Sequence, residues 1–590
     1  MDKKEIIAAI DFGSARAGYC FALTNDETIN LCSFKCEKYK GKTLNKVILN
    51  DSNEVISYGR SVDDYLEGGN LKPNEHIYER IKMNLYNNIY KIQSSNTLKT
   101  LDIIDVITKI LEYLKKHAIE KIMETTKGME EKYDYDKETS KIRWVLTVPA
   151  IWDEKIKYIM MKASEKAGLL KDAHRNLFFA LEPESASYYC LKNASINQEI
   201  FDQPYIVCDL GAGTGDIICH QRVVIDGIEK IQEKCTPKGG ALGSDEINKK
   251  FENQVLKLLF GEDSLVQIHE KFSESLKNNR KMKNYVKRYI NLKNDINKFK
   301  EEIDESRVEK TKNIDCSIFF KNNPNLDITS LVNEYNKKCN EEWKINEYGE
   351  DEDDRSIEFP YKIIYDMTKE ITDKVSEILK QIISEVPNVS TIFYVGGFCN
   401  SKFAVNMIRE NINSSYKNIK HIIPTDPDNA VLVGAVLYGL SPERIKSRKS
   451  KYTLGMHAYV AWEDKFEDGG IKQYTEDSGW VCQNGFYNFI SINDDIPYDN
   501  CLTRPLKVVK NEDDGSYGGH VIIYKSLKTN TYFIDEEGVE KIGSFCLRIP
   551  PEKVQKGEVF LVTMEMGGTF LNVSAYHKES NTRVHMEFKY

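Results

Sequence analysis

Ile206-Val207-Cys208-Asp209-Leu210-Gly211-Ala212-Gly213-Thr214-Gly215-Asp216 is an apolar strand that ends in aspartate, followed by a glycine-rich turn and at once by a second strand. Ala8-Ala9-Ile10-Asp11-Phe12-Gly13-Ser14 repeats the device near the start of the chain. The residue types point to one chemistry. Glycines let backbone N–H groups approach phosphate oxygens, and Ser14 and Thr214 add hydroxyl donors. The carboxylates suit hydrated Mg²⁺ or the orientation of a water. A single Asp-x-Gly turn reads as an ordinary hairpin; two of them read as halves of one phosphate site.

Outward from these turns, the first 60 residues read as strands broken by Gly13, Gly18, Gly41 and Gly59, with a mostly helical stretch to about residue 124 and a polar segment over 125–140. Trp144-Val145-Leu146-Thr147-Val148 reads as a buried strand stopped by Pro149. Asp153 then caps a helix with Ile156, Ile159, Ala163 and Ala167 at helical spacing, which Gly168 ends. From Asp245 the chain turns helical, with Ile247, Phe251, Val255 and Leu258 on one face and lysine-rich sequence to Lys312. Residues 321–358 are polar and Asn-rich, contain Glu350-Asp351-Glu352-Asp353-Asp354, and read as a solvated loop or insertion. Ile364, Met367, Ile371, Val375, Ile378 and Ile382 mark a long amphipathic helix closed by Pro387; the strand Thr391-Ile392-Phe393-Tyr394-Val395 follows and stops at Gly396-Gly397. Beyond Gly439, Arg444, Lys446, Arg448, Lys449 and Lys451 form a basic connector. Alternating strands such as 559–566 and 570–575, with turns at Gly515, Gly518-Gly519 and Gly567-Gly568, then make an all-β domain over about 452–590.

At 590 residues the chain exceeds one ordinary core, and roughly 150 residues per domain suggests three or four folding units. No run approaches the roughly 20 apolar residues of a membrane helix, and the chain enters the strand Ile6-Ile7-Ala8-Ala9-Ile10 without a signal-peptide pattern. The expectation is a cytoplasmic chain with no membrane partner. A net charge of −9, with basic residues spread as helix-surface charge, argues against nucleic acid. Thirteen cysteines are scattered, and Cys208, Cys219 and Cys546 sit in apolar runs that suit buried, reduced thiols. Cys32 and Cys36 have no second pair nearby, and the histidines form no ligand pattern, so no zinc site is expected.

The ordered set Ile10-Asp11-Phe12-Gly13, Val148-Pro149-Ala150, Leu181-Glu182-Pro183-Glu184-Ser185-Ala186, Asp209 to Asp216, Leu242-Gly243-Ser244, Val395-Gly396-Gly397 and Asp426-Pro427-Asp428-Asn429-Ala430-Val431 resembles the heat shock 70 kDa chaperone family of the actin-like ATPase superfamily. The likeness runs the length of the chain. Ile549-Pro550-Pro551 and Phe570-Leu571-Asn572-Val573-Ser574-Ala575 are similar to that family's substrate-binding sandwich. Gly396-Gly397-Phe398, Val436-Leu437-Tyr438-Gly439-Leu440 and Met586-Glu587-Phe588-Lys589-Tyr590 resemble its divergent twelfth-member branch.

The resemblance implies an α/β fold: a two-lobed, actin-like (ribonuclease H-like) nucleotide-binding domain over 1–443, with lobe I about 1–190 plus 426–443 and lobe II about 200–425. A basic connector over 444–451 and a β-sandwich over 452–590 without a helical lid would follow. It implies ATP or ADP and Mg²⁺ as cofactors, with Asp11 and Asp209 near the metal. Glu182 and Asp216 would position metal or water, and Ser14 and Thr214 would contact phosphate alongside the amides of Gly13, Gly211 and Gly213. Lys82 is the candidate for the family's catalytic lysine. Gly243 and Ser244 match a further turn, and Gly396, Gly397 and Asp428 match the adenosine-side loop.

Departures from the family pattern are equally specific. Ser14-Ala15-Arg16 replaces paired threonines, Ala212 stands at a usual glycine, Ser244 replaces a glycine, and Asn400 occupies the place of an arginine that packs on adenine. A methyl crowding the β-phosphate at Ala212 would cost about 1–2 kcal/mol. The implied activity is that of a chaperone-type ATPase serving protein clients or partner proteins through the β-domain, with co-chaperones or exchange factors as further partners. The alternatives are a nucleotide-dependent scaffold without turnover and, more remotely, a small-molecule kinase on the same fold.

Overall fold

Ile6–Phe12 and Ile142–Val148 are apolar on both faces, a pattern that suits strands covered by helices on each side, and they pair in parallel. A computed structural model of the chain describes residues 6–23, 28–34, 37, 40–126, 142–170, 177–193, 195–277, 283–323, 325–348, 356–476, 478–498, 500–510, 517–554, 558–566 and 568–586. It is a mixed α/β protein of many sheets.

Two of those sheets share one wiring. In the first, Leu177–Leu181, Ile142–Val148 and Ile6–Phe12 run parallel, and Arg16–Leu23 returns antiparallel to Ile6–Phe12. In the second, Lys420–Ile422, Thr391–Val395 and Tyr205–Leu210 run parallel, and Gly215–Ile225 returns antiparallel to Tyr205–Leu210. Each sheet therefore carries a tight hairpin whose first strand brings an aspartate, Asp11 or Asp209, to its C-terminal end. Ligands of parallel sheets collect at that end.

Helix Ala430–Leu440, which carries no charged residue, lies buried against helix Glu182–Lys192 and the first sheet. At Gly434 the helices come so close that a Cβ would strike the Ser185 carbonyl oxygen. Asp153 caps helix Glu154–Lys166 by accepting from the Ile156 N–H at 2.9 Å, and Gly168 follows it at φ +69°.

The basic connector is a strand. Ile445–Lys449 pairs in parallel with Ile228–Glu233 and antiparallel with Asp495–Pro497, extending the second sheet to eight strands. A small antiparallel sheet of Val460–Ala461, Lys472–Thr475 and Gly479–Cys482 follows, with two larger ones, one around Thr453–His457, Tyr517–Ser526 and Val539–Ile549, the other from Cys501–Lys507, Val559–Glu565, Asn572–His577 and Thr582–His585. The larger two share a core that includes Met456, Val521, Leu547, Val562 and Val573. Among the described residues after 452, helical structure is limited to short turns at Asp464–Phe466 and Pro551–Lys553. This β-rich part docks on the first sheet. Phe570 meets Phe179 edge to face at 4.4 Å, Lys157 donates to the Thr569 carbonyl at 3.0 Å, Thr569 donates to the Phe179 carbonyl, and the Leu571 N–H donates to Glu154 at 3.0 Å.

Four expectations require correction. Residues 321–358 are largely folded: helix Ile328–Lys338 buries Val332 and Tyr335, and strand Ser356–Pro360 pairs with Thr311–Asp315. Few apolar residues do the work there, but their i, i+3 spacing sets one face inward; the acidic residues 350–354 lie outside the described residues. The stretch before residue 124 is mixed, since Glu75–Tyr78, Lys91–Gln93 and Thr100–Asp102 are strands. Leu258 is 39% exposed while Leu259 is buried, because the wide π turn Phe251–Leu256 shifts the helical register. Cys546 is exposed: strand parity turns its neighbours Phe545 and Leu547 inward instead. Of the Cys32–Cys36 pair, Cys36 lies outside the described residues, and the buried Cys32 thiol donates to the Gly41 carbonyl at 2.8 Å.

Candidate phosphate cleft

The two hairpin turns meet. A Cβ on Gly213 would collide with the Ser14 hydroxyl and the Met83 sulfur, so only glycine permits this approach. The N–H groups of Ser14 and Ala15 on one turn, and of Ala212 and Gly213 on the other, have no acceptor among the described residues. The hydroxyls of Ser14 and Thr214 likewise have no partner among them. Gly211 is different from expectation: its N–H is spent inside the turn on the Thr214 carbonyl at 2.9 Å. Gly243 and Ser244 buttress that turn, their N–H groups donating to the carbonyls of Gly213 and Gly211 at 3.3 Å, while the Asp245 N–H donates to the Ala212 carbonyl at 2.8 Å.

Behind the amides lies a buried cluster of carboxylates and lysines. The Lys82 ammonium lies 2.5 Å from Glu182 Oε1, and both side chains are buried, so helix Ile81–Tyr86 brings the candidate lysine to the candidate glutamate. Asp216 Oδ2 accepts from the Ala150 N–H at 2.5 Å and the Ile151 N–H at 3.3 Å, while its Oδ1 is buried without a hydrogen-bond partner. Pro149 thus ends a strand so that the next two amides can clamp Asp216. Asp11 accepts from the Thr147 hydroxyl at 2.7 Å on one oxygen and from Lys42 at 2.8 Å on the other.

Protonation follows these partners. Burial opposes charge on Asp11, yet Lys42 and Lys82 hold its carboxyl below the ordinary value. Burial pushes Glu182 up to about 7 despite Lys82, and pushes Asp216 up to about 6 despite Lys451 and the two clamping amides. Asp209 is raised well above the ordinary value, by burial and then by the charges of Glu182 and Asp216. A cation would relieve that repulsion.

Next to Asp209, the Gly396 N–H donates to the Pro427 carbonyl at 2.8 Å, and Gly397 abuts Asp428. Asn400 ends the turn Gly397–Asn400 and is exposed. The structure therefore draws together Asp11, Ser14, Ala15, Lys82, Glu182, Asp209, Ala212, Gly213, Thr214 and Asp216, with Gly243 and Ser244 as supports. Sequence reasoning missed Thr147, a lone polar residue in a buried strand, which was a usable signal. It also missed Lys42, which had none.

Two further missed residues join this cleft to the β-rich part. Arg448 binds Glu184 through two bonds of 2.6 and 2.8 Å, both side chains buried, and Glu184 follows Glu182 by two residues. Lys451 donates to the Ala150 carbonyl and, at 3.3 Å, to the Trp152 carbonyl; Ala150 is the residue whose amide holds Asp216.

Repeated hairpins thus converge on a buried cluster of carboxylates and lysines with open amides in front of it. The chain is 25% identical over 621 residues to Heat shock 70 kDa protein 12A of Homo sapiens, with 92% of this chain and 84% of that protein covered, and equally to its Mus musculus counterpart. It is 23% identical over 681 residues to Heat shock 70 kDa protein 12B of Homo sapiens, with 98% and 90% covered. The chain is a divergent relative of these proteins. No family model matches it. Among the described residues, no helix is long and apolar enough to cross a membrane.

Proposed function

We propose that the chain is an Hsp70-like ATPase of two-lobed actin-like fold, organised as a nucleotide-binding domain over 1–443, a connector over 444–451 and a C-terminal β-sandwich over 452–590 that binds protein clients or partners. The observation that carries this reading is the set of open amides, from Ser14 and Ala15 on one hairpin and Ala212 and Gly213 on the other, that the meeting of the two turns brings together in front of the carboxylate cluster. Amides so grouped favour phosphate oxygens.

Mg²⁺ fits the donor set. Asp209 is crowded by like charges, and Asp216 has a buried oxygen without a partner, so these two residues would hold the ion or its waters. When bound, the ion would neutralise phosphate charge. The protein's own groups would do the rest: the two turns would orient the phosphate chain, and Lys82 would face its terminal group. Glu182, raised to about 7, would take a proton from water on a carboxylate oxygen near neutral pH. Coupling to the β-domain would run through Lys451 and Ala150 to Asp216, and through Arg448 and Glu184 to the helix that begins at Glu182.

Binding without turnover is the second reading, favoured because both oxygens of Asp11 already have protein partners. Phosphate release measured for the wild-type chain and for Asp209→Asn separates the two. Release that exceeds the variant, and rises with an unfolded client, supports the ATPase. Tight binding of an ATP analogue with release no faster than the variant's leaves the scaffold.

A further inference from the structure

Lys42 lies on strand Lys42–Leu44, opposite Gly18, and Gly18 in turn lies opposite Asp11. Its ammonium donates to Asp11 Oδ2 at 2.8 Å and to the Asp428 carbonyl at 2.6 Å, and its side chain is 10% exposed. An ammonium has three donors. Two are spent, and the third has no acceptor among the described residues. The other cations near the first turn are committed elsewhere: Arg16 pairs with Glu37 at 3.3 Å and faces Asp428 at 3.7 Å, and Lys82 pairs with Glu182. Each oxygen of Asp11 already carries a protein donor, which makes it a weaker metal partner than Asp209 across the cleft.

We infer that Lys42 is a resident phosphate-binding cation, held by Asp11, that takes over the charge neutralisation on the first-hairpin side of the cleft, so that a divalent ion is carried from the Asp209 side alone. The inference rests on the nucleotide reading above. Its ligand is the phosphate tail of a nucleoside di- or triphosphate, whose oxygen would become the third acceptor of the ammonium. Asp11 is then a positioning residue for Lys42. Binding keeps a component that needs no metal.

Calorimetric titration of ADP into the full chain, in Mg²⁺ and separately in excess EDTA, tests this with Lys42→Met, Lys42→Arg and Asp209→Asn. A charge-assisted bond predicts a loss of roughly 10- to 100-fold in EDTA for K42M. K42R retains most affinity, and D209N keeps the EDTA affinity while losing the gain from Mg²⁺. The double variant Lys42→Met/Asp11→Asn removes the stranded buried charge, so a K42M defect caused by misfolding is rescued there and a binding defect is not. Wild-type binding with K42M unchanged in EDTA overturns the role of Lys42 alone, as does wild-type binding that vanishes without Mg²⁺. Wild type that binds ADP under neither condition overturns the nucleotide reading and this inference with it.

Discussion

Replacing Arg448 by methionine breaks the strongest link between the connector strand and the cleft. The guanidinium binds Glu184 through two short bonds, with side chains 8% and 1% exposed, so the variant leaves a carboxylate buried without its counter-charge. Two unit charges at 4 Å attract by about 4 kcal/mol at an effective dielectric of 20, and breaking one side of a buried pair costs about 3–5 kcal/mol. Glu233 worsens the loss, because Arg448 also holds down its already raised pKa. A chain with several sheets need not unfold in one step, so the readout is amide hydrogen exchange in Ile445–Lys449 and its partner Ile228–Glu233. Protection there is expected to fall roughly 10²- to 10⁴-fold. The double variant Glu184→Leu/Arg448→Met, which removes both charges, restores most of it. A loss below roughly tenfold in R448M would refute the reasoning, since the strand would then owe its place to backbone pairing alone.

Gly213→Ala forces a methyl against Ser14 and Met83; Mg-ADP affinity should drop at least tenfold in a titration while the far-ultraviolet dichroism is unchanged. Glu233 is buried, and burial together with Glu184 raises it to about 8. Its unfolded-state value is lower, so its contribution makes stability fall as pH rises from about 4.5 to 8. Glu233→Gln should flatten that slope and gain about 2–5 kcal/mol at pH 8.5 in the opening free energy of Ile228–Glu233, read by amide hydrogen exchange. Phe570→Ala removes the ring that packs on Phe179 and should speed limited proteolysis between residues 567 and 572, at about 1–3 kcal/mol of docking stability.

The two hairpins, the paired sheets' strands and the carboxylates Asp11 and Asp209 were legible because each is written in local sequence: an apolar run, an aspartate, a glycine turn. The roles of Glu182 and Asp216 came only through resemblance. Lys82 was legible only through resemblance, and its pairing with Glu182 depends on how a short helix folds back across the sheet. Residues such as Lys42, Arg448 and Lys451 read as solvated charge, because nothing local says that a lysine will be buried between a carboxylate and a carbonyl. The connector shows the same limit. Its five basic residues suggest solvated charge, but Ile445–Lys449 is a strand in which Arg448 is buried against Glu184, a glutamate far upstream. The π turn at Phe251–Leu256 displaced Leu258 for a similar reason: an inserted residue leaves no mark in an apolar period.

That the two hairpins form one phosphate cleft is tested most directly by amide hydrogen exchange with and without Mg-ATP. Residues 13–16 and 211–214 should gain protection together, with Ala150 following through Asp216. Protection of one hairpin alone, or of neither at saturating nucleotide, would contradict a shared site.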